Sequence, residues 1–347
     1  MKNKEIAKLL NISPATVSMV LNNKPGISES TRKRVFETQK NSLMLTLGVP
    51  ESETGRSQTI QLCILKSHGQ IIGDTPFFMN LTEILHREAN KKGYRLMISY
   101  FLPNMILDDY VLSLNESDSD GFLLLATEAR DSEVARFCSL SKPVIVLDGW
   151  FPQSNLICVL MDNMAGIDYA MQHAYEKGHR KIGFIRNSFH SNNLEERYWA
   201  YRNCLNKLEL SYDPGYVLTA CISEDHKYGD LVEQLSAMST NEMPTLFVAC
   251  NDVAAMEAID AAKRLGYSIP EELSFIGFDD MPTLQYLSPS MTSLHLNIEA
   301  IAQMSFRLLL DEMRKKTNIH KSMRCLIGVF LVKRASVKEI EQVPGKP

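Results

Sequence analysis

Ten short apolar runs recur along the chain from Thr59 onwards: TIQLCIL, YRLMISYF, GFLLLAT, PVIVLDG, LICVLMDN, KIGFIRN, YVLTACI, TLFVACN, LSFIGFDD and MTSLHLN. Helical stretches such as FFMNLTEILHREANKKG and AAMEAIDAAKRLG lie between them. Strands separated by helices of about 10 to 15 residues call for parallel sheets with helices on both faces. The expected fold class is therefore α/β, with doubly wound parallel sheets. Ligands of such sheets sit in the crevice at the carboxyl ends of the strands. Asp148, Asp162, Asn251, Asp252, Asp279 and Asp280 all stand where an apolar run ends.

Composition excludes several classes. Hydrophobic residues make up 45% of the 347 and charged residues 22%, which suits a soluble chain with a large core. No apolar run approaches the roughly 20 residues of a membrane span. The start, MKNKEIAKLL, has no apolar segment of the export type, so a cytoplasmic protein is expected. The seven Cys show no CxxC spacing and read as reduced thiols. There is no GxSxG, HExxH or Walker loop, and the eight His are scattered. No enzyme activity, cofactor or metal is expected.

Charge is unevenly spread. Eight basic and three acidic residues stand in the first 40, a net of +5, so the remainder carries −9 within the total of −4. A basic head on an acidic body points to a polyanion partner for the head. The head supplies the local chemistry for one. Lys4 to Leu10 reads as a short helix with Ile6, Ala7 and Leu10 on one face, and Asn11-Ile12-Ser13 as a tight turn. Ser13 can cap the next helix, and Pro14 fits its first position. Val17, Val20 and Leu21 would pack inward, leaving small or hydrogen-bonding side chains to enter a major groove. Ser28 caps a third helix over roughly 29–40. These elements make a helix-turn-helix. The expected DNA-contacting set is Ser13, Pro14, Ala15, Thr16, Ser18, Met19 and Asn22.

AKLLNISPATVSMVLNNKPGISESTRKRVFE resembles the DNA-binding head of the lactose-repressor (LacI/GalR) family of bacterial transcription regulators. The family's TVSxVLN followed by TRxRV is present, with Ile12 and Ile27 in place of Val. VLMDNMAGIDYAMQHAYEKGHRKIGFI, ACNDVAAMEAIDAAKRLGYSIPEELSFIGFDDMP and the closing LVKRASV are similar to the family's two-lobed, periplasmic-binding-protein-like core. The resemblance implies a helix-turn-helix domain over 1–45 and a linker over 46–58. It implies an effector-binding and dimerisation core over 59–340. Lobe 1 is expected over about 59–160 and 291–320, and lobe 2 over about 161–290 and 321–340. It further implies double-stranded operator DNA and a small-molecule effector as partners of a homodimer. The function implied is operator binding, repressive in the family's commoner mode and switched by that effector. The alternative is a ligand-binding protein whose head has lost sequence-specific DNA binding.

The resemblance carries the effector site over one position at a time. Arg197, Asn251 and Asp279 match pocket positions, and Asp148 matches a first-lobe carboxylate used by some members. Phe77, Phe78 and Trp150 are the candidate stacking platforms. Ser191 stands where purine-sensing members place an Arg, which favours a neutral sugar or sugar derivative. Carboxylates beside aromatic rings suit such ligands, because each carboxylate oxygen accepts hydroxyl donors. Two departures stand out. Met19 occupies a position where many members carry a guanine-reading Arg. The linker LMLTLGVPESETGRSQ lacks the family's hinge-helix pattern, so no minor-groove kink is expected. The dimer surface implied by resemblance lies on Phe78 to Lys91 and Asn297 to Leu310.

Overall fold

A computed structural model describes residues 58–341 apart from 70, 71, 73–75, 190, 221–228, 239–242 and 316–321. In the N-terminal part it describes residues 7, 10, 12–21, 28, 31, 32 and 35. The chain divides into two compact units, Met1–Ser57 and Gln58–Pro347.

The first unit contains helix α1 (Pro14–Leu21). Ser13 starts it: its Oγ accepts the Thr16 N–H at 3.0 Å and pairs with the Thr16 hydroxyl at 2.8 Å. Pro14 opens the helix where no N–H bond is needed. Val17 and Val20 are fully buried with Ala7 and Val35, and Leu10 and Ile12 pack against them. Ala7 and Leu10 are helical, as are Thr31, Arg32 and Val35. Ser28 Oγ accepts the Thr31 N–H at 3.3 Å, the bond expected of a cap on the third helix. The 46–58 linker falls outside the described residues, Gln58 excepted, and so does Asn22.

The second unit is built on two six-stranded sheets. In sheet order, the first holds β11 (Met323–Ile327), β5 (Ile157–Met161), β4 (Val144–Leu147), β3 (Gly121–Leu125), β1 (Thr59–Leu65) and β2 (Arg95–Phe101). The second holds β12 (Val329–Val332), β10 (Thr292–Leu296), β9 (Ser274–Asp279), β8 (Leu246–Ala249), β6 (Ile182–Asn187) and β7 (Val217–Ala220). Every pairing is parallel except that of β10 with β12. GFLLL, VIVL, ICVLM and LFVA are buried along their whole length, as strands covered on both faces must be.

Helices α2 (Pro76–Lys91), α3 (Leu107–Glu116), α4 (Asp131–Val134) and α9 (Ile298–Arg314) belong to the first lobe. Helices α5 (Asn163–Glu176), α6 (Asn192–Lys207), α7 (Gly229–Ser236) and α8 (Asp252–Arg264) belong to the second. Three begin on a side-chain cap at a strand end. Asp162 Oδ1 accepts Ala165 N–H at 3.0 Å, Asn251 Oδ1 accepts Ala254 N–H at 2.9 Å, and Asn297 Oδ1 accepts Ala300 N–H at 3.0 Å.

The chain crosses between the lobes at Asp162, at Asn297 and at Gly328. This corrects the expected lobe boundaries at about 290 and 320. β10 stays in the second lobe because it pairs with β9, and β11 remains in the first because it pairs with β5. The closing LVKRASV runs from β12 along the second sheet, where buried Ser336 accepts the Thr292 N–H at 2.9 Å and donates to Phe275 O at 2.6 Å. No helix among the described residues is long and apolar enough to cross a membrane.

Candidate functional site

A small cavity lies between the two lobes, at the carboxyl ends of the strands. The first lobe contributes Phe77 and Phe78 from the first turn of α2, Thr127 after β3, Asp148 after β4 and Met161 at the end of β5. The second contributes Ser191, Asn193, Leu194 and Arg197 around the start of α6, Asn251 after β8, Asp279 at the end of β9 and Leu296 at the end of β10. Seven of the eight residues expected at the effector site are thus brought together.

Trp150 is the exception. Asp148 takes a left-handed backbone, with φ +59°, and the chain turns out of the sheet. Fully buried Phe151 takes the inward place, while the Trp150 ring packs at the edge of the outer apolar cluster, 5.7 Å from the Arg324 guanidinium.

Arg197 is almost fully buried and held on every side. Its Nε donates to Asn163 Oδ1 at 2.9 Å and its Nη1 to Cys250 O at 2.6 Å. Asp279 Oδ1 lies 3.5 Å from the same Nη1, and the guanidinium stacks 3.6 Å from the Phe278 ring centroid. Such a planar fork is pre-organised to meet a ligand oxygen.

Asp279 and Asp280 both have positive φ, +117° and +54°, a strained pair for non-glycine residues. Buried Asp252 braces this turn, accepting the Met281 N–H at 2.8 Å and the Ser293 hydroxyl at 2.5 Å. Ser293 Oγ in turn accepts the Asp280 N–H at 3.1 Å. Gly277 is required beside it, because a Cβ there would collide with Asp252 Oδ1.

Asp148 accepts the Thr127 hydroxyl at 2.5 Å and the Asn193 amide at 2.8 Å. Burial pushes its pKa up to about 7, against the pull of Thr127, Arg197 and Asn193. Burial likewise pushes Asp279 up to about 6, with Arg197 opposing. Two carboxylates therefore face one guanidinium. Ser191 Oγ is buried and has no hydrogen-bond partner among the described residues. Asn251 spends its Oδ1 on capping α8, which leaves its amide nitrogen for the cavity. The site thus offers hydroxyl acceptors, one cationic fork and an aromatic pair, Phe77 and Phe78, packed edge to face at 5.1 Å.

The raised Asp148 pKa has a definite sign. Below about pH 4 the carboxyl is protonated folded or unfolded, and nothing is lost. As pH rises towards about 7 the unfolded chain ionises freely while the folded one resists, so stability falls by at most about 4 kcal/mol. Asp148→Asn is expected to raise Tm at pH 8 and to leave it unchanged or lower at pH 4. Calorimetry at the two pH values checks this; an equal shift at both would remove carboxylate burial as the cause.

Sequence reasoning missed Thr127, Met161, Asn193, Leu194 and Leu296. Thr127, Met161 and Leu296 sit at strand ends, so the crevice rule reaches them. Asn193 and Leu194 stand four and three residues before Arg197, on its face of α6. In the head, Ser13 is exposed, and Thr16 and Met19 are half-buried, so Met19 is less outward than expected.

Comparisons with known proteins agree with this architecture. The model for bacterial regulatory proteins of the lacI family matches residues 3–40, and that for the periplasmic binding protein-like domain matches residues 171–337. The HTH-type transcriptional repressor PurR of Haemophilus influenzae is 26% identical over 343 residues, covering 97% of this chain and 98% of its own. A transcriptional regulator CelR–cellobiose complex has the same fold, with TM-score 0.71 and 22% identity, over 97% of this chain and 99% of that one. So does the lac repressor dimer bound to operator and the anti-inducer ONPF, with TM-score 0.69 and 18% identity, over 96% and 98%. The chain belongs to the lacI family of bacterial regulatory proteins, DNA-binding transcriptional regulators with a helix-turn-helix head and an effector-binding core.

Proposed function

We propose that this protein is a homodimeric, cytoplasmic repressor that reads a two-part operator and releases or grips it according to a neutral sugar or sugar derivative. It is a binding protein, not an enzyme. The observation that carries the effector class is the cavity: Asp148 and Asp279 accept hydroxyl donors, Arg197 meets a ring or hydroxyl oxygen, and Phe77 and Phe78 flank them. Among the described lining residues Arg197 is the one cation and is already paired with Asp279, so nothing there supplies the net positive charge that a phosphorylated or carboxylated ligand calls for. Similarity to a cellobiose-bound regulator supports the same class. In the head, phosphate contacts supply affinity and α1 supplies sequence choice. Ser13, Pro14, Ala15, Thr16, Ser18, Met19 and Asn22 are the proposed DNA contacts. Closing of the lobes on the ligand shifts the population between two dimer states.

A melting screen of the purified protein against neutral sugars and their phosphates tests the effector class. One neutral sugar is expected to raise Tm, with about 2.7 kcal/mol of added stability at a hundredfold excess over Kd. A response to anionic compounds alone would refute the reading.

The dimer is assigned to the β2 edge of the first sheet and the outer face of α2. Met97, Ile98 and Tyr100 are about half exposed on β2, and Met79 stands out on α2. A patch of this kind on an edge strand marks an association surface. Met97→Asp combined with Tyr100→Asp is expected to weaken the dimer at least about 100-fold, because it buries two charges in an apolar interface. Sedimentation velocity would show monomer; an intact dimer would move the interface elsewhere.

A further inference from the structure

An ion pair on the rim of the cavity joins the two lobes. Arg324, on β11 of the first lobe, donates from Nη2 to Glu196 Oε1, on α6 of the second, at 2.7 Å. Both side chains are largely covered, at 28% and 19% exposed, so the pair is shielded more than a surface bridge is. Arg324 also lies over the Trp150 ring, and Asn192 of the second lobe donates to Trp150 O at 3.0 Å.

The pair is wired to the ligand site. Glu196 Oε2 accepts the Asn163 amide at 3.0 Å, and the same amide donates to Asn193 Oδ1 at 3.0 Å. Asn163 Oδ1 accepts Arg197 Nε. Asn163 is fully buried at the first position of α5, immediately after the chain crosses between lobes, and all its hydrogen-bonding capacity facing these partners is used. A continuous path therefore runs from Arg324 through Glu196 and Asn163 to Arg197, and through Asn193 to Asp148 of the first lobe. The cavity it closes measures about 40 Å³, room for roughly three waters and for no hexose. A sugar enters only when the lobes part.

We propose that Arg324 and Glu196, with Asn163 bracing Glu196 from within the second lobe, form an interlobe clasp: it holds the core closed and must open for ligand to enter. The proposal rests on the two-lobed switch proposed above. Glu196 and Arg324 are positioning residues that need not touch the ligand.

Trp150 is a natural reporter. The chain has two Trp, and the other, Trp199, is exposed and can be replaced by Phe. In full-length Trp199→Phe protein, without sugar or DNA, acrylamide quenching and the small-angle scattering radius read lobe opening. Glu196→Gln and Arg324→Gln are each expected to raise the open-to-closed ratio about fivefold. Both should increase quenching and enlarge the radius, and the double variant should go no further than either single. Asn163→Ala, which leaves both ion-pair partners, should open the core as well. Quenching and radius at the parent value in the single variants would overturn the clasp, as would additive effects in the double. A parent-like Asn163→Ala would overturn its part as the brace of Glu196. The assay involves neither operator nor effector, so a failed DNA or sugar reading cannot mimic either result.

Discussion

Arg197→Ala is expected to lower affinity for the sugar found in the melting screen by about 100-fold or more, the cost of removing one partner from a buried charge pair. Arg197 is the only cation among the described residues that line the cavity. Its loss strands Asp279 in a buried site, where the carboxyl pKa is already raised and would rise further. It also frees Cys250 O and Asn163 Oδ1 of their donor and strips the Phe278 ring of its cover. Arg197→Lys keeps the charge but not the fork, so it should recover only part of the affinity. Isothermal titration measures both. A Kd within about threefold of wild type in Arg197→Ala would place the ligand elsewhere, since any direct charged contact is larger than that.

Val20→Asp is expected to abolish DNA binding while leaving sugar binding and the core's melting transition as they are. The described core of the head is small: Ala7, Val17, Val20 and Val35, with Leu10 and Ile12 against it. Val20 is fully buried there. A domain of this size has only about 3–5 kcal/mol of stability, and an unpaired buried carboxylate exceeds that. The core forms a separate unit from Gln58 and has its own apolar clusters. Fluorescence anisotropy with labelled operator, alongside calorimetry of the same preparation, separates the two effects. Persistent operator affinity would mean that Val20 is not part of the head's packing.

The fold was legible where burial was complete. All ten apolar runs form strands, most plainly those covered on both faces, which need an unbroken apolar stretch: GFLLL or PVIVL can hardly be read otherwise, whereas YRLMISYF forms an exposed edge. The two strands that escaped notice, MRCLI and VFLV, are edge strands with several exposed residues and a glycine between them, so their pattern is weak. That omission moved the later lobe boundary: without β11 and β12, nothing in the sequence shows that the chain stays in the first lobe after α9 and crosses only at Gly328. The cavity residues at strand ends could be read from topology. The role of Asn163 could not, since a DN pair at a helix start reads equally well as a cap. Only the folded chain puts it between Arg197 and Glu196. Trp150 was misplaced for a similar reason. Its neighbour Asp148 reaches the cavity by a left-handed turn that no local pattern announces.

Selection of duplex DNA from a random pool by the purified protein, at about physiological salt, tests the central claim most directly. The account predicts an enriched pseudo-palindrome, its two half-sites related by the symmetry of a dimer and the base opposite Met19 free of the guanine preference that an Arg would impose. The sugar that stabilises the core should change the yield of that sequence. Binding that falls steeply with salt but enriches no sequence, with and without the sugar, would contradict the account: the head would then hold DNA by charge alone.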